Sequence, residues 1–194
     1  MVAHWRRPDA EHPAAADGER LHPGLIAQPV NTITSAAYLL AACRLWPEAG
    51  GSVRGRALCL AMAANGVGSM GFHGPGDELS HRIHDVSLWS TIGVMTTDIG
   101  VMAVRRPRQL TGLVGPLAVL AAGAVVNAMT RTGGRWCRPD SALQGHGIWH
   151  LASAAGLAAA GRRLHPGPGA AGARRRSARQ PRRRRNPMAA RLSR

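Results

Sequence analysis

Apolar residues gather into five long stretches, near 31–47, 55–73, 84–104, 110–130 and 143–161, separated by polar connections. Each approaches the roughly 20 residues that a helix needs to cross the hydrocarbon core of a bilayer. Residues 86–97 carry no charge before Asp98, and 110–130 carry none before Arg131. A soluble Ala-rich bundle would instead place a charged residue every few positions on an outward face. The stretches are rich in Ala, Gly, Val and Leu, and small residues suit close helix–helix approach in lipid. The pattern therefore predicts an all-α fold, a polytopic transmembrane helix bundle of about five spans.

Composition changes this picture only at the end of the chain. The 194 residues are 45% hydrophobic, yet the formal net charge is +15 and every basic residue of the Lys/Arg class is Arg. The Arg runs 174–176 and 182–185 are set among Pro, Gly and Ala. Such a segment buries too little apolar surface to offset its ordering entropy. The expected organisation is an N-terminal extracytoplasmic segment at 1–30, a helical bundle at 31–161, and a disordered Arg-rich cytoplasmic tail at 162–194. Arg54, Arg56, Arg105, Arg106, Arg108 and the tail fall on one side of a five-span topology. The positive-inside bias makes that side cytoplasmic, with the N-terminus outside. Arg-only basic usage with abundant Ala and Gly fits a GC-rich bacterial genome, so the expected location is a bacterial plasma membrane. Three Cys, two of them in apolar stretches, argue against a disulfide framework. The basic tail has no aromatic residue to stack bases, so no nucleic-acid partner is expected. The expected partners are the bilayer and a lipid substrate; nothing in the sequence specifies an oligomeric state.

Ionisable and polar residues inside such spans are costly and mark functional sites. Ser69 and His73 stand four residues apart at the outer end of the second stretch. Asp85 opens the third, with His81 a turn before it and His84 beside it. His146 and His150 open the fifth, again four apart, and Gln28 and Asn31 open the first. All fall at the same face of the predicted bundle. Two His at this spacing point to one side of a helix, and a third completes the three-ligand arrangement of catalytic zinc. His73, His146 and His150 form that set, which would lower the pKa of a bound water towards about 7. Asp85 is placed to take a proton from that water or to orient a ligand, and Ser69 to donate to a developing oxyanion. His81 and His84 are further candidates, His84 competing with Asp85 for the inward position. Gly147-Ile148-Trp149 between the paired His lacks the Glu of a zincin protease.

Four segments in order, Gln28-Pro29-Val30-Asn31-Thr32-Ile33-Thr34-Ser35, Gly68-Ser69-Met70-Gly71-Phe72-His73, His84-Asp85 and Gln144-Gly145-His146-Gly147-Ile148-Trp149-His150, resemble the alkaline ceramidase family. That family belongs to a superfamily of seven-span membrane hydrolases that includes the progestin and adipoQ receptors. The resemblance covers roughly residues 17–161. It implies a zinc-dependent hydrolase that cleaves the amide bond of ceramide-like or other N-acyl lipids. His73, His146 and His150 would hold the zinc, with Asp85 and Ser69 as catalytic residues. The chain departs from the family in three ways. It has five spans, the shortfall falling between Arg105 and Arg138. Gln28 stands where the eukaryotic enzymes have Glu, and with only Asp17 and Glu19 nearby no calcium is expected. The step from His73 to Asp85 is about one residue longer. A second reading is therefore a non-catalytic or receptor-like relative with a structural metal.

Overall fold

A computed structural model describes residues 12–49 and 51–167. Its described residues contain five α-helices and no strand: α1 Pro29–Ala49, α2 Val53–His73, α3 Glu78–Arg105, α4 Val114–Thr130 and α5 Gly145–Leu164. Each predicted stretch lies largely within one helix. A short 3-10 turn, Pro13–Ala16, precedes α1, and a longer one, Pro107–Leu113, joins α3 to α4.

Local chemistry sets the boundaries. Pro29 opens α1, where its missing N–H costs nothing and its fixed φ suits a first turn. Ser52 caps α2 by accepting from the Gly55 N–H, and Asp77 caps α3 by accepting from the Ser80 N–H. The helix α5 carries the chain further than its sequence suggests. Arg162 and Arg163, read as the start of the disordered tail, form its last turn. Arg is a good helix former, and cations at a C-terminus complement the helix dipole. Residues 168–194 of the expected tail, and residues 1–11 of the expected N-terminal segment, lie outside the described residues.

The helices pack as an open arc in the order α3–α2–α1–α5–α4. The ends of the arc, α3 and α4, are linked through the 3-10 connection. Close approach rests on small residues. A β-carbon added to Gly68 in α2 would sit 2.6 Å from the His84 backbone nitrogen in α3, so only Gly permits that spacing. Leu45, Leu58, Cys59, Met62, Met95, Met102 and Leu113 fill an apolar core. They come from the half of the bundle away from the C-terminal end of α2. The other half is polar inside. Asn31, Ser35, Asn65, Ser69, His73, His150 and Ser153 are all buried there.

The outward faces show the reverse. Ile33, Leu40, Leu60, Val67, Val86, Trp89, Val125 and Leu151 are exposed. Two helical stretches, Glu78–Arg105 and Pro107–Thr130, are long and apolar enough to cross a membrane. Polar residues turned inward from α1, α2 and α5 lower the hydropathy of those helices.

Candidate metal centre

The C-terminal end of α2 and the first turns of α5 meet at α1. Three histidines converge there: His73 from α2, and His146 and His150 from successive turns of α5. Their ring nitrogens offer one ligand atom each within 4.8 Å of one another. The ring centroids are 4.5 to 5.1 Å apart and mutually tilted. His73 and His150 are buried, and His146 keeps 12% of its side chain exposed.

Each imidazole is anchored from outside the cluster. His73 Nδ1 lies 2.7 Å from Gln28 Oε1, so Nδ1 carries the proton that the amide oxygen accepts. The opposite nitrogen, Nε2, is buried without a hydrogen-bond partner among the described residues. A buried bare acceptor of this kind is costly unless something occupies its lone pair. His146 Nδ1 is 2.8 Å from Asn127 Oδ1 on α4, with Asp17 Oδ1 at 3.5 Å. His150 Nδ1 is 3.0 Å from Thr34 Oγ1 on α1, with Ser35 Oγ at 3.4 Å. Metal-ligating histidines commonly show this arrangement, in which an oxygen partner on the outer nitrogen fixes the orientation of each ring. The donor set fits a borderline-soft divalent ion held by imidazoles.

Ser69 joins the cluster. It is buried, its Oγ is 2.8 Å from Ser35 Oγ and 3.4 Å from His150 Nε2. Tyr38 lies beneath, its hydroxyl 2.6 Å from Ser153 Oγ and its ring edge-on to His150.

Asp85 does not join it. Its side chain is 52% exposed and faces His81 and His84 on the outside of α3, at 3.4 and 3.1 Å. Helical rotation accounts for this. Successive helical residues are turned by about 100°, so the inward position falls to His84. His84 stacks on Phe72 with centroids 4.7 Å apart, and 18% of its side chain is exposed. His81 lies over the same Phe72 ring, outside the histidine cluster.

The carboxylate in contact with the cluster is Asp17, from the N-terminal segment. Residues 12–28 fold across this end of the bundle. Glu19 accepts from the backbone N–H groups of Val30 and Asn31 and so caps α1, while the Gln28 amide donates to the carbonyls of Ala14 and Glu19. Burial pushes the Asp17 carboxyl up to about 6, an effect that nearby Arg131 reduces. Arg20 holds Asp140 below its usual carboxylate range through a hydrogen bond, tying the segment to the α4–α5 connection. Sequence reading gave no role to Asp17, Thr34, Ser35, Tyr38 or Asn127. Thr34 and Ser35 stood in the first of the four quoted segments, and Asn127 is the one amide in a mostly apolar α4.

Comparison with known proteins adds no name to this geometry: no family model, no curated protein and no solved structure matches the chain.

Proposed function

We propose that this chain is a membrane-embedded, zinc-dependent hydrolase that cleaves the amide bond of a ceramide-like or other N-acyl lipid. The observation that carries the reading is the trio His73, His146 and His150. Each is fixed by an outer oxygen partner, and all three converge at the buried end of a helical arc. Zinc bound there would supply Lewis acidity and a water acidic enough to act near neutral pH.

The chain's own residues account for the rest. Gln28, Asn127 and Thr34 hold the three rings in place. Hydrolysis adds water across the amide, breaking C–N to give a carboxylic acid and an amine. Negative charge develops on the carbonyl oxygen, and Ser69 Oγ, buried beside His150, is the hydroxyl placed to donate to it. The site residues retained from the sequence reading are thus Ser69 and the three His. Asp85 is replaced as the carboxylate of the site by Asp17.

The polarity of the molecule supports a five-span arrangement in lipid. Only 28% of the apolar window of α3 and 11% of that of Pro107–Thr130 are buried. Apolar helices that were the core of a soluble protein would be mostly covered, and exposed apolar area of this extent marks a membrane or partner surface. The proposed orientation keeps the N-terminus outside and the Arg-rich end cytoplasmic.

The test is metal content of the detergent-purified protein, wild type beside His146→Ala/His150→Ala, followed by release of fatty acid from ceramides and other N-acyl amides. Near-stoichiometric zinc, absent from the double variant, with Ser69→Ala slowing hydrolysis about 10²-fold, is the expected result. Absence of zinc from the wild type would sink the mechanism. A second reading, a non-catalytic or receptor-like protein with a structural metal, draws on the outward turn of Asp85. Zinc retained without hydrolysis of any N-acyl lipid would favour it.

A further inference from the structure

The end of the bundle opposite the histidines carries an open groove of about 790 Å³, lined mostly by exposed residues. It lies where the two ends of the helical arc come together. Arg106 follows α3, Arg108 belongs to the 3-10 connection, and Arg162 and Arg163 form the last turn of α5; all four line it. The rest of its wall mixes the polar Gln109 and Thr111 with the small or apolar Gly112, Pro116, Ala159 and Pro166. No acidic residue lines the groove, and none of the four Arg has an acidic partner among the described residues.

The nearby acid is already engaged. Asp98 is buried in an adjoining smaller cavity, 3.0 Å from Arg54 Nη1 and 2.7 Å from His165 Nε2. Four guanidinium groups around one groove repel each other unless an anion sits among them. Guanidinium forks match phosphate oxygens in pairs, and basic pockets between helices on the cytoplasmic side suit lipid head groups. The small and apolar residues of the wall, with the largely uncovered α4 alongside, suit a phosphate that carries acyl chains.

We infer that this groove binds a phosphate ester, the phosphodiester head group of an anionic phospholipid in the cytoplasmic leaflet. The lipid source rests on the membrane-spanning reading above; the phosphate chemistry does not, and neither depends on the hydrolase.

The experiment uses the full chain in an uncharged detergent. Thermal unfolding is followed during titration with short-chain phosphatidylglycerol, short-chain phosphatidylcholine or inorganic phosphate. Three proteins are compared: wild type, Arg106→Gln/Arg162→Gln/Arg163→Gln, and a tail control with Arg182, Arg183, Arg184 and Arg185 each replaced by Gln. Zinc content is read on every sample, and alkaline extraction of membranes tests whether the chain is integral.

Phosphatidylglycerol is expected to raise Tm saturably in the wild type and the tail control, and phosphatidylcholine is not. The triple variant should need at least about tenfold more lipid, a difference of about 1.4 kcal/mol. If that variant fails to fold, Arg162→Gln alone, on an exposed turn, should still shift the midpoint severalfold. Inorganic phosphate acting at the same midpoint as the lipid would keep the anion site and assign it to soluble phosphate. Equal effects of the two lipids, an unshifted Arg106/Arg162/Arg163 variant, or loss of the effect in the tail control would overturn the inference. Loss of zinc or of extraction resistance would instead strike the hydrolase or the membrane reading.

Discussion

His73 is held from one side only. Its Nδ1 bonds Gln28 while its Nε2 faces the other two histidines without a partner among the described residues. Gln28→Ala should therefore free the ring to rotate and weaken zinc retention about 10- to 100-fold, read by competition with a chelator. Gln28→Glu keeps an acceptor at that position and should retain most of the affinity. The two aspartates give a sharper contrast. Asp85→Ala, on the outer surface of α3, should leave zinc affinity and hydrolysis near wild type. Asp17→Asn, beside His146, should reduce both. A larger loss from the Asp85 change than from the Asp17 change would restore Asp85 to the site. The His pair at 146 and 150 was legible because i,i+4 spacing fixes a shared face. Asp85 was misplaced because a single residue of offset on a helix turns a side chain from the interior to the surface.

Helix ends and helix contacts carry the next expectations. Asp77 caps α3, and hydrogen bonds from the Ser80 N–H and hydroxyl hold its carboxyl below the usual range. A folded-state value below the unfolded one stabilises above the unfolded value and is lost as pH falls through it. Wild type should thus lose more Tm than Asp77→Asn on acidification below about pH 4. Parallel Tm curves would remove the cap from the account. At Gly68, a methyl group would press on the backbone of His84. Gly68→Ala should destabilise by about 1–3 kcal/mol through forced separation of α2 and α3, measurable as lowered Tm. The five helices were legible from long, predominantly apolar stretches separated by polar connections. Their closeness was not, because a glycine's role depends on which helix faces it.

The assembled molecule is polar inside at one end and apolar over much of its outer surface. If lipid covers that surface, the chain should stay with the membrane pellet after alkaline carbonate extraction and come out with detergent. Release by carbonate would remove the five-span reading and leave two apolar helices to be covered by a partner. The two ends of the bundle also differ in character. Buried histidines gather at one, arginines at the other, and the apolar core separates them.

By itself the sequence pointed to a helical chain, to where five helices run, and to Ser69, His73, His146 and His150 meeting at one end of the bundle. Those facts are local, set by runs of apolar residues and by helical spacing. Tertiary structure alone decided which carboxylate meets the histidines, since Asp17 reaches His146 only because residues 12–28 fold back across the bundle. It also decided that Thr34, on the distant α1, and Asn127, on the neighbouring α4, orient the rings of His150 and His146. Arg106, Arg108, Arg162 and Arg163 likewise share a groove only through packing. Which side chains face each other depends on the rotation and order of whole helices, and no local pattern encodes that.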